Sequence, residues 1–200
     1  MNKLTILIIS YLVGSIPFGY IIARFVKGVD IRALGSCNVG ATNVTRVVGK
    51  RWGVLTFLLD FLKGGVVISI VPLFVPSAGE FLLAFCAVLV ICGHNWSVFL
   101  DFKGGKGVST SLGVIFGLCL VYPVSFLSFL IAVCVWVSVF YALKIVSVAS
   151  LSAISVFFIS SLFLPVGNIF KLFAFTIFIF VFMRHKDNII KLLKKEESSF

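Results

Sequence analysis

Apolar runs separated by short polar islands make up this chain, and nowhere do apolar and polar residues strictly alternate. Seven runs stand out: Leu4 to Phe25, Trp52 to Val75, Phe81 to Leu100, Gly107 to Val121, Val124 to Leu143, Val146 to Leu164, and Ile169 to Met183. A bilayer core takes ~20 mainly apolar residues per helix, and the missing two-residue period argues against strands. The pattern predicts an all-α polytopic membrane protein with seven transmembrane helices. The fourth run is short and the break before the fifth rests on Pro123, so six or eight spans stay open. The first run shows no small-residue cleavage site followed by a polar chain, so it is expected to be a retained helix and not a signal peptide. A single membrane domain over residues 1–200 is the expected organisation.

Composition agrees. Hydrophobic residues make up 60% of the 200 positions and aromatic ones 15%, against roughly 45–50% apolar usage in soluble domains. Mean hydropathy is +1.20. Charge then sets the orientation. With seven spans, one side holds Arg24, Lys27, Arg32, Arg46, Lys50, Arg51, Lys103, Lys106, Lys144, Arg184, Lys186, Lys191, Lys194 and Lys195. The other side holds Lys3 and Lys171, and Lys63 lies within a span. Basic residues mark the cytoplasmic side, so the amino terminus is expected outside and the carboxy terminus in the cytoplasm. The net charge of +10 is then mainly a cytoplasmic face suited to anionic headgroups or metabolites. Nucleic acid is disfavoured as a partner because the basic residues are split among short loops. The five cysteines form no CxxC or Cys/His set and read as small buried hydrophobes.

Four polar islands carry candidate chemistry. The densest runs from Gly93-His94 through Lys103-Gly104-Gly105-Lys106-Gly107 to Ser109-Thr110. Glycines let bare N–H groups approach a ligand and two lysines neutralise it, which suits phosphate; a tight basic turn between helices is the bland alternative. The longest polar loop, from Val26 to Arg51, gathers Ser36, Asn38, Gly40, Thr42, Asn43 and Arg46. Its hydroxyl and amide groups beside an arginine fork can hold an anionic, hydroxylated small molecule. Asp60 and Lys63 share one helix face inside an apolar run, either as a structural ion pair or as the lining of a polar cavity. His185 and Asn188 stand three apart where the last run ends, and a neutral imidazole there can act as a base. The first run contains Gly14-Ser15-Ile16-Pro17-Phe18-Gly19-Tyr20, which reads as a kinked packing face. The fifth and sixth runs read as scaffold, their serines serving helix packing.

Four blocks in order resemble the signatures of the PlsY family, the bacterial acyl-phosphate:glycerol-3-phosphate acyltransferases. They are Gly35-Ser36 through Arg46, Asp60 to Gly64, Gly93-His94 through Val108, and Arg184-His185 to Ile189, joined by the amino-terminal Gly14 to Gly19. Cys37, Ser97 and Lys195 depart from the pattern; Ser97, where proline is usual, is expected to loosen the turn into the glycine loop. The resemblance implies seven helices and an active site at the cytoplasmic face of the bacterial inner membrane. It implies transfer of a fatty acyl group from acyl phosphate to the sn-1 hydroxyl of glycerol 3-phosphate, the first step of phospholipid synthesis. Lysophosphatidic acid and phosphate are the products. Acyl phosphate is already activated, so no protein nucleophile is required.

On this reading Ser36, Arg46, Lys106, His185 and Asn188 are catalytic. Asn38, Gly40, Thr42, Asn43, Lys63, His94, Lys103, Gly104, Gly105 and Gly107 bind substrate. No cofactor and no metal is expected, since Asp60 and Asp101 are isolated carboxylates. Functional coupling to an enzyme that makes acyl phosphate is implied. A transporter of phosphorylated metabolites is the competing class, disfavoured by the lack of an inverted repeat. No Walker A motif is present, and His94 is followed five residues later by Phe99, so no His-x4-Asp pair of acyl-CoA acyltransferases exists there.

Overall fold

The computed structural model describes every residue except Ser198 and Phe200, and all regular structure among the described residues is helical. The helices are α1 (Lys3–Ser15), α2 (Phe18–Lys27), α3 (Ala41–Val47), α4 (Lys50–Phe74), α5 (Glu80–Asn95), α6 (Val108–Val121), α7 (Phe126–Leu143), α8 (Val146–Phe163), α9 (Asn168–Arg184) and α10 (Lys186–Leu193). Five stretches are long and apolar enough to cross a bilayer: Lys3–Lys27, Lys50–Phe74, Glu80–Leu100, Pro123–Leu143 and Val146–Phe163. The pair α9 and α10, bent by 59°, meets that criterion only when joined. Helix α6 has 14 residues, which at 1.5 Å per residue gives about 21 Å, short of the ~30 Å hydrocarbon core. Every predicted run is helical, and five or six of the seven qualify as spans. The glycine loop before Val108 and Pro123 after Val121 keep α6 short.

Two compact units divide the chain, Met1–Gly117 and Leu118–Phe200. In the first, Pro17 breaks the opening span between α1 and α2, because its ring bars a continuous helix. The carbonyls at the break find side-chain donors. Ser97 Oγ donates to the Ser15 oxygen at 2.5 Å, and Lys63 Nζ to the Ile16 oxygen at 2.8 Å. Ser97 is 2% exposed, so the serine expected to loosen this turn ties it to the break instead, through a hydroxyl that proline lacks. Helices α1 and α5 touch at Gly14 and Gly93, where any Cβ would run into the facing backbone.

Ile31, Val39 and Val44, outside the apolar runs, are buried with Leu100 and with Ile22 and Ala23 of α2 in one cluster. At on the order of 1.5–3 kcal/mol for each large aliphatic side chain taken from water, this cluster fastens the 28–40 loop and α3 to the turn after α5. At the loop's start Asp30 caps a 3-10 turn (Ile31–Ala33), accepting from the Arg32 backbone N–H at 2.9 Å and pairing with its guanidinium at 2.7 Å. The hydrogen-bonded guanidinium holds the Asp30 carboxyl down at about 2, so the pair stays ionised at neutral pH.

In the second unit α7 and α8 form a hairpin that turns at Lys144 in left-handed conformation, and α9 packs on α8. The predicted scaffold serines behave as expected in part. Ser150 and Ser155 bond back to Val146 and Leu151 carbonyls at 2.8 Å, and Ser150 Oγ also lies 3.2 Å from Trp136 Nε1. Tyr122 meets Phe170 edge to face, and Phe157 packs on Phe170 at a tilt of 58°.

Candidate active site

The long polar loop is folded around one side chain. Asn43 is 1% exposed; its Nδ2 lies 3.2, 2.9 and 2.8 Å from the carbonyls of Ile31, Leu34 and Asn38, and its Oδ1 accepts from the Ser36 N–H at 2.8 Å. Gly35 sits at φ +59 beside it, where a Cβ would collide with that same Oδ1. Asn43 thus spends its amide on shaping the loop. Asn38 Oδ1 accepts from the Gly40 N–H at 2.9 Å and so sets the start of α3. Thr42 and Arg46 follow on one face of α3, four residues apart, with Arg46 exposed and Thr42 half-buried. Ser36 is exposed on the loop that Asn43 shapes. Asn43→Ala is expected to strip the loop of its organiser and cost about 1–3 kcal/mol. A thermal-melt midpoint several degrees lower in the purified protein is the check.

The glycine loop rests on the carboxyl end of α5. Gly104 N–H donates to the Asn95 oxygen at 3.2 Å and Gly105 N–H to the His94 oxygen at 2.9 Å. These two N–H groups, expected to be bare, therefore cap α5, whose last carbonyls need partners. A Cβ on Gly105 would strike the His94 ring at Nε2, and one on Gly104 the His94 oxygen, so glycine is required at both positions. Gly107 turns the chain at φ +80 against the buried Asn95 side chain and leads into α6. Lys103 is exposed and Lys106 half-buried.

Beneath the loop lies the one strongly charged cluster buried in the apolar part of this unit among the described residues. Asp60 Oδ1 is 2.7 Å from Lys63 Nζ and 3.5 Å from His94 Nδ1, and Asp60, Lys63 and His94 are 2, 5 and 7% exposed. A narrow cleft is lined by these three, the helix break from Ser15 to Gly19, and Val39, Ser97, Leu100 and Gly104. Through Val39 and Gly104 the two polar loops meet in this cleft.

In the second unit, His185 marks the bend between α9 and α10 and is 2% exposed. Its Nδ1 lies 2.7 Å from the Val181 oxygen. A carbonyl only accepts, so Nδ1 carries a proton, and the neutral form of the ring then has its lone pair on Nε2. Asn188 Nδ2 donates to Glu197 Oε1 at 2.6 Å, and Ser147 Oγ to the same oxygen at 2.9 Å. The sequence carries no signal for these two bonds, since a carboxylate at the end of a basic tail has no periodic pattern.

The fold and these groups define an all-helical integral membrane protein with a basic, glycine-rich polar site. The family model described as glycerol-3-phosphate acyltransferase matches residues 4–195. The chain is 45% identical to the glycerol-3-phosphate acyltransferase of Aquifex aeolicus and 38% identical to that of Wolbachia from Brugia malayi, each over the full length of both chains. A crystal structure of PlsY, an integral membrane glycerol 3-phosphate acyltransferase, in its glycerol 3-phosphate form superposes with a TM-score of 0.89. It is 39% identical, and the match covers 99% of this chain and 95% of that one. The chain belongs to the PlsY family of glycerol-3-phosphate acyltransferases.

Proposed function

We propose that this protein transfers a fatty acyl group from acyl phosphate to the sn-1 hydroxyl of glycerol 3-phosphate. The hydroxyl oxygen bonds to the acyl carbon, the carbon–oxygen bond to phosphate breaks, and the hydroxyl proton leaves, giving lysophosphatidic acid and phosphate. Arg46, with Ser36, Asn38 and Thr42, holds the acceptor, on a loop that Gly40 and Asn43 keep in shape. Lys103 and Lys106, on the loop formed by Gly104, Gly105 and Gly107, bind the donor's phosphate and stabilise its charge as it departs. Lys63 and His94 contribute from the cleft, while His185 and Asn188 orient the attacking hydroxyl.

The reading is carried by one observation: the loop rich in hydroxyls and amides and the loop with two lysines meet at one cleft, to which they contribute Val39 and Gly104 beside Asp60, Lys63 and His94. A reaction between two phosphate-bearing substrates needs both kinds of donor in one place. The whole chain serves as one acyltransferase domain in the bacterial inner membrane. Its seven spans include α6 and the bent α9–α10 pair, its amino terminus is outside, and its site faces the cytoplasm. An enzyme that produces acyl phosphate supplies the donor.

Purified protein with labelled glycerol 3-phosphate tests the reading. Label is expected in lysophosphatidic acid with palmitoyl phosphate and not with palmitoyl-CoA. No product from either donor, with the protein folded, sinks the reading; vesicle flux of glycerol 3-phosphate without turnover puts a transporter in its place.

A further inference from the structure

We propose that Asp60 is a positioning residue that sets the height and orientation of the glycine loop through His94, and so tunes the handling of the donor phosphate. The inference rests on the acyltransferase reading above. A buried ion pair is a poor device for stability, because desolvating two charges offsets most of their attraction and apolar replacements often do as well. The presence of Asp60 and Lys63, both nearly fully buried, calls for another account, and the geometry supplies one.

The Asp60 carboxylate joins three elements. It lies on α4, it holds Lys63 at 2.7 Å, and Lys63 in turn donates to the Ile16 oxygen at the α1–α2 break at 2.8 Å. The same Oδ1 faces His94 Nδ1 at 3.5 Å on α5. The other side of that imidazole lies against Gly105, where even a methyl group would strike Nε2. His94 is therefore a spacer between a fixed carboxylate and the backbone of the Lys-Gly-Gly-Lys-Gly loop, and its own carbonyl receives the Gly105 N–H. Rotation or retreat of the ring moves Gly105, and with it the flanking Lys106. The long polar loop is held separately, by Asn43 and the cluster of Ile31, Val39 and Val44, so the acceptor side does not depend on Asp60 in this way.

The test compares wild type, Asp60→Asn, Asp60→Glu and the double variant Asp60→Leu/Lys63→Met, each as full-length purified protein. The readouts are kcat, KM for palmitoyl phosphate, KM for glycerol 3-phosphate, and the thermal midpoint. Asp60→Asn is expected to raise the donor KM and lower kcat, together by about 10- to 100-fold in kcat/KM, as displacements near 1 Å do. The acceptor KM is expected to stay within about twofold, and Asp60→Glu to recover part of the loss. The double variant removes both charges and leaves neither unpaired, so it keeps the test open where Asp60→Asn fails to fold. It is expected to show the same donor-side defect, with a midpoint lowered only by the loss of the Lys63 bond to the Ile16 oxygen. Both KM values unchanged in a folded variant overturns the inference, since a merely structural pair alters only the amount of active protein. A wild type that forms no product sinks the acyltransferase reading itself, which is a different result.

Discussion

Lys106→Ala is expected to lower kcat for acyl transfer by about 10²–10³-fold, the loss typical of removing one preorganised group from developing negative charge. Lys106 is half-buried between Gly105, pressed on the His94 ring, and Gly107, turned at φ +80 into α6. Both neighbours fix the backbone on either side, and half-burial limits the side chain's exposure to water. Lys103, two glycines earlier, is exposed. An exposed cation interacts through water and is worth about 0–1 kcal/mol, so Lys103→Ala is expected to cost less than about tenfold. Steady-state kinetics on both variants with palmitoyl phosphate decide the point. Equal losses, or a Lys106 variant at the wild-type rate, would remove Lys106 from the stabilisation of the departing phosphate.

The contrast between the two lysines shows where sequence reading stops. The run Lys-Gly-Gly-Lys-Gly declares a loop, a charge and a ligand class, because glycine and lysine have few other reasons to alternate between apolar runs. What it cannot declare is the use of each N–H. Gly104 and Gly105 look like bare donors in sequence, yet both cap α5, because a helix ending at Asn95 has carbonyls to satisfy and the loop folds directly back onto them. Asn43 shows the same limit from the other side. Its type fits a ligand or a loop organiser equally well, and only the positions of four backbone groups separate the two.

Hydrophobic periodicity made the helices legible, since each apolar run had to satisfy its own backbone. Breaks inside a run were harder. Pro17 announced one, but its partners, Ser97 and Lys63, lie 80 and 46 residues away along the chain, and no local pattern links them. The bend at His185 has no proline at all. The bonds of Glu197 to Ser147 and Asn188 are likewise tertiary and leave no local pattern.

His185→Gln is expected to lower kcat by about 10²-fold or more and to abolish the acidic limb of the pH–rate profile, as loss of a general base does. The argument starts from the Val181 carbonyl. By accepting from Nδ1 at 2.7 Å it keeps a proton on that nitrogen, so the neutral ring has its lone pair on Nε2, the only form in which this ring can take a proton from a hydroxyl. Glutamine retains an amide donor for the Val181 oxygen and so preserves the bend between α9 and α10, but its far end is not basic. The thermal midpoint is therefore expected to move little while kcat falls. Were the phosphate of glycerol 3-phosphate the proton acceptor, the variant would keep a near wild-type rate and an unchanged acidic limb. His185 would then act as a hydrogen-bond partner for the substrate, and the Val181 bond would serve the bend alone.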